Sequence, residues 1–224
     1  MKKIKILDVV FTNEIEGFEI AAFRGAIAEL VGFENTLYHN HIDDKKVVYS
    51  YPLIQYKTKL KKASFTCIAN GVDEAREFFI NKNWKINISG KTMRLEIDTF
   101  QLRNGLFDVG TRQFQYRLKK WMPLNQANFK KFISLKSQKD KVDLLESILI
   151  GNILSMGKSL DWTVTEKIKV SINEVLDEQK VTFKKNSVIT FDILFVSNAQ
   201  LPINIGLGKG VSHGFGIIQK KTKI

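Results

Sequence analysis

The hydrophobic period changes between two neighbouring segments, KIKILDVVF (residues 3–11) and EGFEIAAFRGAIAELVG (residues 16–32), and this change indicates the fold. Residues 3–11 mix β-branched and charged side chains, which is typical of a strand. From Ile20 to Leu30 the apolar side chains recur every three or four positions, which predicts an amphipathic helix from Glu16 to Gly32, of about four turns, with Gly32 as its C-cap. The charged residues expected on its polar face are Glu19, Arg24 and Glu29.

Beyond this helix, the polar residues 34–46 predict a loop, after which the period becomes two. Apolar and lysine side chains are expected on opposite faces of the next strand, with Ile54, Tyr56 and Leu60 on one face and Lys57, Lys59 and Lys61 on the other. A strand near 62–69, a helix at 72–81 and strand structure over 84–100 follow. Residues 1–103 therefore predict β-α-β-β-α-β, the pattern of a ferredoxin-like domain.

The second half is less regular. Apolar and polar side chains alternate around Tyr116, which predicts a strand with a basic face that ends before Pro123. The other predicted elements are helices at 125–135 and 138–157 and strands at 164–176, 180–184 and 187–197. We interpret residues 104–224 as a degenerate second domain, with the boundary between Leu102 and Gly110. The predicted fold class is α+β, with two tandem ferredoxin-like (RRM-related) domains and a C-terminal glycine-rich loop.

Composition and charge indicate a basic globular protein. Its 224 residues include 35 Lys and Arg against 23 Asp and Glu, a formal net charge of +12. Such an excess implies an acidic partner, either nucleic acid or an anionic membrane. The single cysteine, Cys67, excludes an intramolecular disulfide and a cysteine-based zinc finger. Because no apolar run is long enough for a membrane helix, we expect a cytoplasmic protein without a membrane partner.

The most specific motif is GLGKGVSHGFG (residues 206–216), which holds five of the fourteen glycines. Glycine permits positive φ and close backbone approach, so such a loop can direct several N–H groups at a phosphate, and Lys209 adds charge. A P-loop is excluded because Lys209 is followed by Gly210 instead of Ser or Thr. A dinucleotide fingerprint is excluded because the motif does not open a βαβ unit. The alternative is a glycine-rich turn that serves only packing.

The sequence from Phe195 to Gly216 resembles the C-terminal glycine-rich signature of the CRISPR-associated repeat-processing endoribonucleases (the Cas-six family). The matching elements are FVSN (195–198), LP (201–202), IGLG (205–208) and SHGFG (212–216). Tyr38-His39-Asn40-His41 is similar to the loop of the branch that carries two histidines. The resemblance implies tandem ferredoxin-like domains that hold CRISPR repeat RNA and cut it once without metal or cofactor. The products would carry a 2′,3′-cyclic phosphate and a 5′-hydroxyl.

The resemblance also makes the glycine-rich segment a candidate RNA-binding site. Its candidate contacts are Gly206, Gly208, Lys209, Gly210, Ser212, His213, Gly214 and Gly216. The expected partner is CRISPR repeat RNA, and other CRISPR effector subunits are further candidates. A homodimer would rest on analogy alone.

Two of the three histidines, His39 and His41, lie in one predicted loop. Metal-free RNA cleavage needs a base that deprotonates the 2′-hydroxyl and an acid that protonates the 5′-oxygen. Imidazole suits both roles because its pKa lies near neutral pH. We therefore predict His39 and His41 as the catalytic pair, with base and acid unassigned. Tyr38 is a candidate donor to a phosphate oxygen, and Lys45 or Lys46 is a candidate charge for the transition state.

Three other interpretations stay open. The histidine pair could chelate zinc or iron, with further ligands from Cys67, His213, Asp43 or Asp44. The two histidines could also be exposed loop residues without a role. Finally, the chain could be a non-catalytic RNA-binding scaffold in a ribonucleoprotein complex, which would bind RNA in a salt-sensitive way and release no products.

Basic residues along two predicted strands are candidate RNA contacts: Lys57, Lys59 and Lys61 on the first, and Arg112, Arg117 and Lys119 on the second. Side chains on one strand face repeat about every 7 Å, near the phosphate spacing of a nucleic acid strand. Trp121 or Tyr116 could stack on a base, although Tyr116 shares a face with Phe114 and Leu118 that suits a core. For the lysines, the alternative is that they only guard a strand edge.

Overall fold

The computed structural model divides the chain into two compact units. It describes residues 1–32, 35–38, 41–43, 46–47, 51–80 and 83–221, with the backbone alone described at 36, 41–43 and 46–47. The N-terminal unit consists of residues 3–105 and 212–214, and the C-terminal unit of residues 1–2, 106–211 and those from Phe215 on. Within the described ranges, no helix has both the length and the apolar character that a membrane crossing requires.

The N-terminal unit has the strand order of a ferredoxin-like domain. Its elements are β1 (Lys2–Glu14), α1 (Ile20–Val31), β2 (His41–Asp43), β3 (Lys46–Val47), β4 (Ile54–Lys59), β5 (Lys62–Ile68), α2 (Asn70–Ile80), β6 (Lys85–Ile88), β7 (Lys91–Arg94) and the first part of β8 (Ile97–Trp121). The main sheet has the order β4-β5-β1-β8. Residues 84–100, predicted as strand structure of this sheet, instead hold a separate hairpin, β6–β7, before the closing strand begins at Ile97.

Aromatic rings build the core of this unit. Phe11, Phe23, Tyr56, Phe65 and Phe78 are all fully buried. Phe11 contacts three of the other rings at centroid distances of 5.8–6.0 Å. Such pairs add about 0.5–1.5 kcal/mol each beyond the area that they bury. One aromatic cluster therefore packs the sheet against both helices, and through Phe23 and Tyr56 it sets the position of α1 against β4.

Helix α1 shows the predicted amphipathic pattern, with Ile20 and Ile27 buried. Gly32 is its C-cap, as predicted, with φ of 102° and an N–H that donates to the backbone four residues earlier at 3.0 Å. Arg24 departs from the expectation of a polar face because it is half-buried. It lies four residues after Ile20 and three before Ile27, so it stands at the border of the apolar face.

The C-terminal unit repeats the same strand order but lacks one helix. It continues β8 and adds α3 (Gln126–Ser134), α4 (Gln138–Ser159), β9 (Val170–Phe183), β10 (Asn186–Gln200) and β11 (Ile217–Lys220). Its sheet has the order β11-β8-β10-β9. Residues 201–216 stand where a ferredoxin-like domain has its second helix, and they contain none. The predicted fold class, with a degenerate second ferredoxin-like domain, is confirmed.

Two segments of this half differ from the sequence-based expectation. Residues 102–110 lie inside β8, a single strand of 25 residues, and the change from one unit to the other falls within it. The strands predicted at 164–176 and 180–184 are one strand, β9, which begins only at Val170. Its pairing with β10 continues from Val170 to Phe183 through two register shifts, so tertiary pairing joins segments that the local pattern separated.

Candidate functional site

The glycine-rich residues 206–216 form a tight turn in which packing requires glycine. Gly208 has φ of 87°, and a side chain there would lie 2.8 Å from the indole nitrogen of Trp121. Gly216 has φ of 67°, and a side chain there would collide with the carbonyl oxygen of Leu207. Only glycine tolerates this combination of positive φ and close approach. Packing therefore accounts for these glycines with no phosphate bound.

Several N–H groups of the turn are already used inside the protein. Those of Leu207, Lys209, Phe215 and Gly216 donate to protein carbonyl oxygens at distances of 2.8–3.4 Å. A phosphate bound to these N–H groups would have to displace those carbonyls. These four backbone donors therefore already have partners inside the protein, and RNA binding by the loop stays a prediction.

Two aromatic residues proposed for base stacking lie in the core of the C-terminal unit. Trp121 is fully buried, and its indole N–H donates to Oδ1 of Asn152 at 3.0 Å. Tyr116 is also buried, and its hydroxyl donates to the carbonyl oxygen of Ala199 at 3.2 Å. The stacking prediction is wrong for both, and the core alternative for Tyr116 is the correct one.

Residues 212–214 of the turn belong to the N-terminal unit. His213 forms a parallel β-bridge with Tyr56 on the edge strand β4. Gly214 has φ of 80°, and a side chain there would lie 3.0 Å from the side chain of Ile20 and 3.4 Å from the carbonyl oxygen of Tyr56. The glycine after His213 therefore lets the chain pass close to α1 and β4.

The imidazole of His213 lies between two polar side chains of the N-terminal unit. Its Nε2 is 3.3 Å from Nη1 of Arg24, and its Nδ1 is 3.0 Å from Oγ of Ser212. Burial lowers the pKa of Arg24, but an arginine remains cationic at neutral pH. Sequence reasoning proposed Ser212 and His213 and missed Arg24. The only local signal was its position at the border of the apolar face of α1.

Tyr56 connects this segment to the start of the predicted catalytic loop. Its backbone bridges His213, while its buried hydroxyl donates to the carbonyl oxygen of Tyr38 at 3.3 Å. Tyr38 directly precedes His39 in the sequence. Tyr38, which precedes the histidine loop, and His213 thus contact opposite ends of Tyr56.

Tyr38 itself does not suit the role predicted for it. Its side chain is 1% exposed, and its hydroxyl donates to the carbonyl oxygen of Glu74 at 3.1 Å. Burial raises the pKa of this hydroxyl well above its usual value. Because the donor hydrogen is already committed to the backbone of α2, the predicted contact with a phosphate oxygen does not fit this geometry.

The predicted catalytic histidines are only partly covered by the structure. His39 and Lys45 lie outside the described residues. For His41 and Lys46 the backbone places both in the small β2–β3 ladder, where His41 pairs with Val47 and Asp43 with Lys46. Their catalytic and supporting roles therefore stay predictions.

One of the ligands considered for a metal at the histidine pair is a core residue. Cys67 is fully buried in the core of the N-terminal unit, and burial raises the pKa of its thiol. Among the described side chains, no three His, Cys, Asp or Glu residues are grouped as metal ligands would be.

The three lysines predicted on one strand face do not form a row. Leu60 and Lys61 form a two-residue turn with φ of 52° and 66°, so Leu60 is exposed and Lys61 pairs with Glu16 at 3.6 Å. Positive φ at both central residues is typical of a type I′ hairpin turn, which favours Asn and Gly. Because Leu60 and Lys61 stand at these positions instead, the sequence did not indicate the turn. Lys59 is exposed, and Lys57 is half-buried on β4.

Lys57 lies in a charged network that the sequence did not indicate. Burial is the main cause that lowers the pKa of Lys57 to about 8, with Arg103 lowering it further and Asp8 opposing the shift. Asp8 pairs with Arg103 at 2.7 Å and accepts a hydrogen bond from the hydroxyl of Thr66 at 2.6 Å. In the sequence, the only sign of this network was the carboxylate of Asp8, which stands among apolar residues of β1.

The basic residues predicted on β8 have different surroundings. Arg112 stacks over the ring of Phe114, 5.3 Å from its centroid. Arg117 forms an ion pair with Asp192 at 2.8 Å. Lys119 is exposed, as is Lys209 in the turn. Lys119 and Lys209 therefore suit an RNA contact, whereas much of the charge of Arg117 is compensated inside the unit.

Two family models match the chain and cover nearly all of it. The Cas6b N-terminal domain matches residues 2–105, and the Cas6b C-terminal domain matches residues 108–221. An uncharacterized protein of Methanocaldococcus jannaschii, MJ0978, is 35% identical over 135 residues, which are 60% of this chain and 90% of that protein.

Solved structures agree with these matches. A crystal structure of Cas6b superposes with a TM-score of 0.86 at 30% identity, over 98% of this chain and 100% of the other. A second structure, described as the CRISPR RNA processing endoribonuclease Cas6b, has a TM-score of 0.75 at 26% identity with the same coverage. Csf5, described as a CRISPR-Cas type IV Cas6 crRNA endonuclease, shares the fold at 9% identity, with a TM-score of 0.57 over 99% of this chain and 100% of that one.

Proposed function

The chain belongs to the Cas6b family, and on that premise we propose that it is a metal-independent endoribonuclease that cuts precursor CRISPR RNA within its repeats. The family includes a solved protein described as a CRISPR RNA processing endoribonuclease. For this chain, the proposal rests on the contacts of Tyr56. Its backbone pairs with His213, and its hydroxyl donates to the carbonyl oxygen of Tyr38, the residue before His39. The His213 segment and the histidine loop, both in the N-terminal unit, would then act on one RNA strand.

In the proposed reaction the 2′-oxygen attacks the adjacent phosphorus, and the bond from phosphorus to the 5′-oxygen breaks. One imidazole of the pair His39 and His41 takes the proton of the 2′-hydroxyl, and the other gives a proton to the departing 5′-oxygen. The products are a 2′,3′-cyclic phosphate and a 5′-hydroxyl. Each proton transfer supplies about 10²–10⁴-fold in rate.

Positive charge supports RNA as the substrate. The net charge of +12 favours a polyanion, and Arg24 and Lys57 both lie on elements that contact residues 212–214. The exposed Lys59, Lys119 and Lys209 add cations on the surface of the two units. We expect a cytoplasmic protein, since its substrate would be a transcript.

The test is cleavage of a cognate repeat RNA in EDTA by the wild type, by His39→Ala/His41→Ala and by the loop control Asn40→Ala. We expect the wild type and the control to cut, and the double variant to bind the RNA and leave it intact. Cleavage by the double variant at the wild-type rate would contradict the assigned residues. Loss of wild-type cleavage in EDTA would contradict the metal-free mechanism.

The same experiment separates an enzyme from a scaffold. Tight, salt-sensitive binding by the wild type with no products on any repeat would support the non-catalytic RNA-binding subunit. Homodimerisation and association with other CRISPR subunits stay predictions, which the mass of the protein in solution, with and without repeat RNA, will test.

A further inference from the structure

A cleft of about 990 Å³ lies within the C-terminal unit, where β8 and β10 meet the start of β9. Residues of the segment 110–113, in β8, line one wall, and residues of the segment 166–169, which leads into β9, line the other. The half-buried Val170 and Val196 also line it. Binding pockets commonly have volumes of about 300–1,000 Å³, so this space, which we call the bulge cleft, is large enough for a nucleotide.

The wall in β8 is a break in the regular pairing of the sheet. Ser197 of β10 pairs with Phe114, whereas Ala199, two residues later, pairs with Val109. Four residues of β8 therefore stand opposite a single residue of β10, and all four are exposed. Bulges end regular pairing and redirect side chains, and they are frequent beside functional sites.

Asn198 joins the two walls of the bulge cleft. Its Nδ2 donates to the carbonyl oxygen of Gly110 in one wall at 3.1 Å and to that of Lys167 in the other at 3.0 Å. Its Oδ1 accepts from the backbone N–H of Lys169 at 2.7 Å. Asn198 is the last residue of the FVSN segment, so this part of the sequence motif shapes the cleft. The walls are therefore held in place before a ligand binds.

The residues that line the bulge cleft suit an anionic ligand. Lys167 and Lys169 are exposed on either side of the buried Ile168. Within the described part of the chain neither lysine side chain forms an ion pair, in contrast to that of Arg117. The carboxylate at the rim is that of Glu166, which leaves an excess of positive charge.

Polar and apolar groups accompany these two cations. The exposed Thr111, Gln113 and Ser171 carry hydroxyl and amide groups, which suit the edge of a base or a ribose 2′-hydroxyl. The side chains of Val170 and Val196 suit the face of a base. Phosphate, ribose and base would thus each have a matching group in one cleft.

From this arrangement, and resting on the proposed function for the identity of the ligand, we propose that the bulge cleft binds an unpaired segment of the repeat RNA. Lys167 and Lys169 contact its phosphates, and Val170 and Val196 contact a base. The bases of an RNA stem are enclosed in the stack, so a space between two walls admits only a base that is not in a stem. This assigns an RNA site to the C-terminal unit in addition to the glycine-rich turn.

The experiment measures binding separately from cleavage. A repeat RNA with a 2′-deoxy nucleotide at the cut position is titrated with wild type, Lys167→Gln/Lys169→Gln, Ser171→Glu, Ser171→Gln and the control Lys91→Gln, an exposed lysine on β7. For the double lysine variant we expect about tenfold weaker binding and a salt slope reduced by about 1.4, the value for two phosphate contacts on a single strand. Ser171→Glu should bind several-fold more weakly than Ser171→Gln, since the two differ only in charge, and Lys91→Gln should bind like wild type.

Two further readouts test where the RNA lies and which form of RNA is bound. With 4-thiouridine at one unpaired position at a time, irradiation of the wild-type complex should crosslink RNA to the tryptic peptide of residues 170–180. The double lysine variant should lose affinity for an unstructured single strand and not for a perfect RNA duplex. An unchanged salt slope, crosslinks that all lie outside residues 170–180, or a loss for the duplex as large as that for the single strand would each overturn the proposal.

The outcomes for the bulge cleft and for the enzyme are distinguishable. Weaker RNA binding by the double lysine variant, without cleavage of the unmodified RNA by the wild type, would leave the cleft standing and remove the endoribonuclease. Cleavage by the wild type, together with unchanged affinity and salt slope in the double lysine variant, would remove the cleft alone. All substituted side chains are exposed, and thermal melting of each variant checks that the fold is intact.

Discussion

The hydroxyl of Tyr56 donates a hydrogen bond of 3.3 Å to the carbonyl oxygen of Tyr38, the residue directly before His39. Tyr56→Phe removes only this hydroxyl from a fully buried ring, so we expect a loss of about 1–2 kcal/mol in the free energy of unfolding. The single-turnover cleavage rate should fall about tenfold or more, because the histidine loop loses its anchor. RNA affinity should stay unchanged.

Tyr116→Phe is the control for this change. Its hydroxyl is also buried, and it donates to the backbone carbonyl of Ala199 and accepts from the backbone N–H of Leu201 in the C-terminal unit. Because two hydrogen bonds are lost, Tyr116→Phe should be destabilised at least as much as Tyr56→Phe in urea unfolding, but only Tyr56→Phe should slow cleavage. Equal cleavage rates in the two variants would show that Tyr56 does not position the loop.

Gly216→Ala should destabilise the C-terminal unit by about 2–4 kcal/mol. The residue has φ of 67°, and its new Cβ would collide with the carbonyl oxygen of Leu207. The control is Gly151→Ala in α4, where nothing lies within 4 Å and alanine should stabilise the helix by about 0.5–1 kcal/mol. Calorimetry of both variants measures the difference, and equal melting temperatures would mean that the turn is not close-packed.

Lys57 should make stability depend on pH between about 8, its pKa in the folded protein, and 10.5, its ordinary value. In this window the unfolded chain binds more protons at Lys57 than the folded chain does, so folding gains stability as the pH rises. Below pH 8 the folded protein carries the full cost of a buried cation. Lys57→Met should therefore be more stable than wild type at pH 7, by about 1–3 kcal/mol, with the advantage lost towards pH 10.5.

Urea unfolding of wild type and Lys57→Met at pH 7 and pH 10 checks this prediction. All other titrating groups are common to the two proteins, so their contributions cancel in the difference. A difference in stability that is the same at both pH values would exclude a lowered pKa for Lys57.

Arg117→Gln and Lys119→Gln should separate a structural cation from an RNA contact. Asp192, whose side chain is 12% exposed, would lose its ion pair in Arg117→Gln, and we expect a loss of about 1–2 kcal/mol. Lys119→Gln should leave stability unchanged and weaken RNA binding with a smaller salt slope. Chemical unfolding and salt titration of RNA binding check both variants, and the reverse assignment of effects would contradict the two roles.

Much of the fold could be predicted because its signals are local. Helix α1 with its Gly32 cap, the strand β5 and the helix pair α3–α4 all follow from hydrophobic period and end signals within a few residues. Where local signals were absent, the prediction was wrong. The turn Leu60-Lys61 adopts positive φ without glycine or asparagine, and so its lysine was assigned to a strand.

The candidate site could not be predicted in full, because it is formed by contacts between residues that are far apart in the sequence. His213 lies 189 residues from Arg24, and Tyr56 lies 18 residues from Tyr38. The amino-acid sequence alone determined the secondary structure, the basic character and the family signature, because periodicity, charge and motif are properties of neighbouring residues. The contact of His213 with Arg24, and the glycines that packing requires, followed from the three-dimensional structure alone, because they depend on residues that are far apart in the chain.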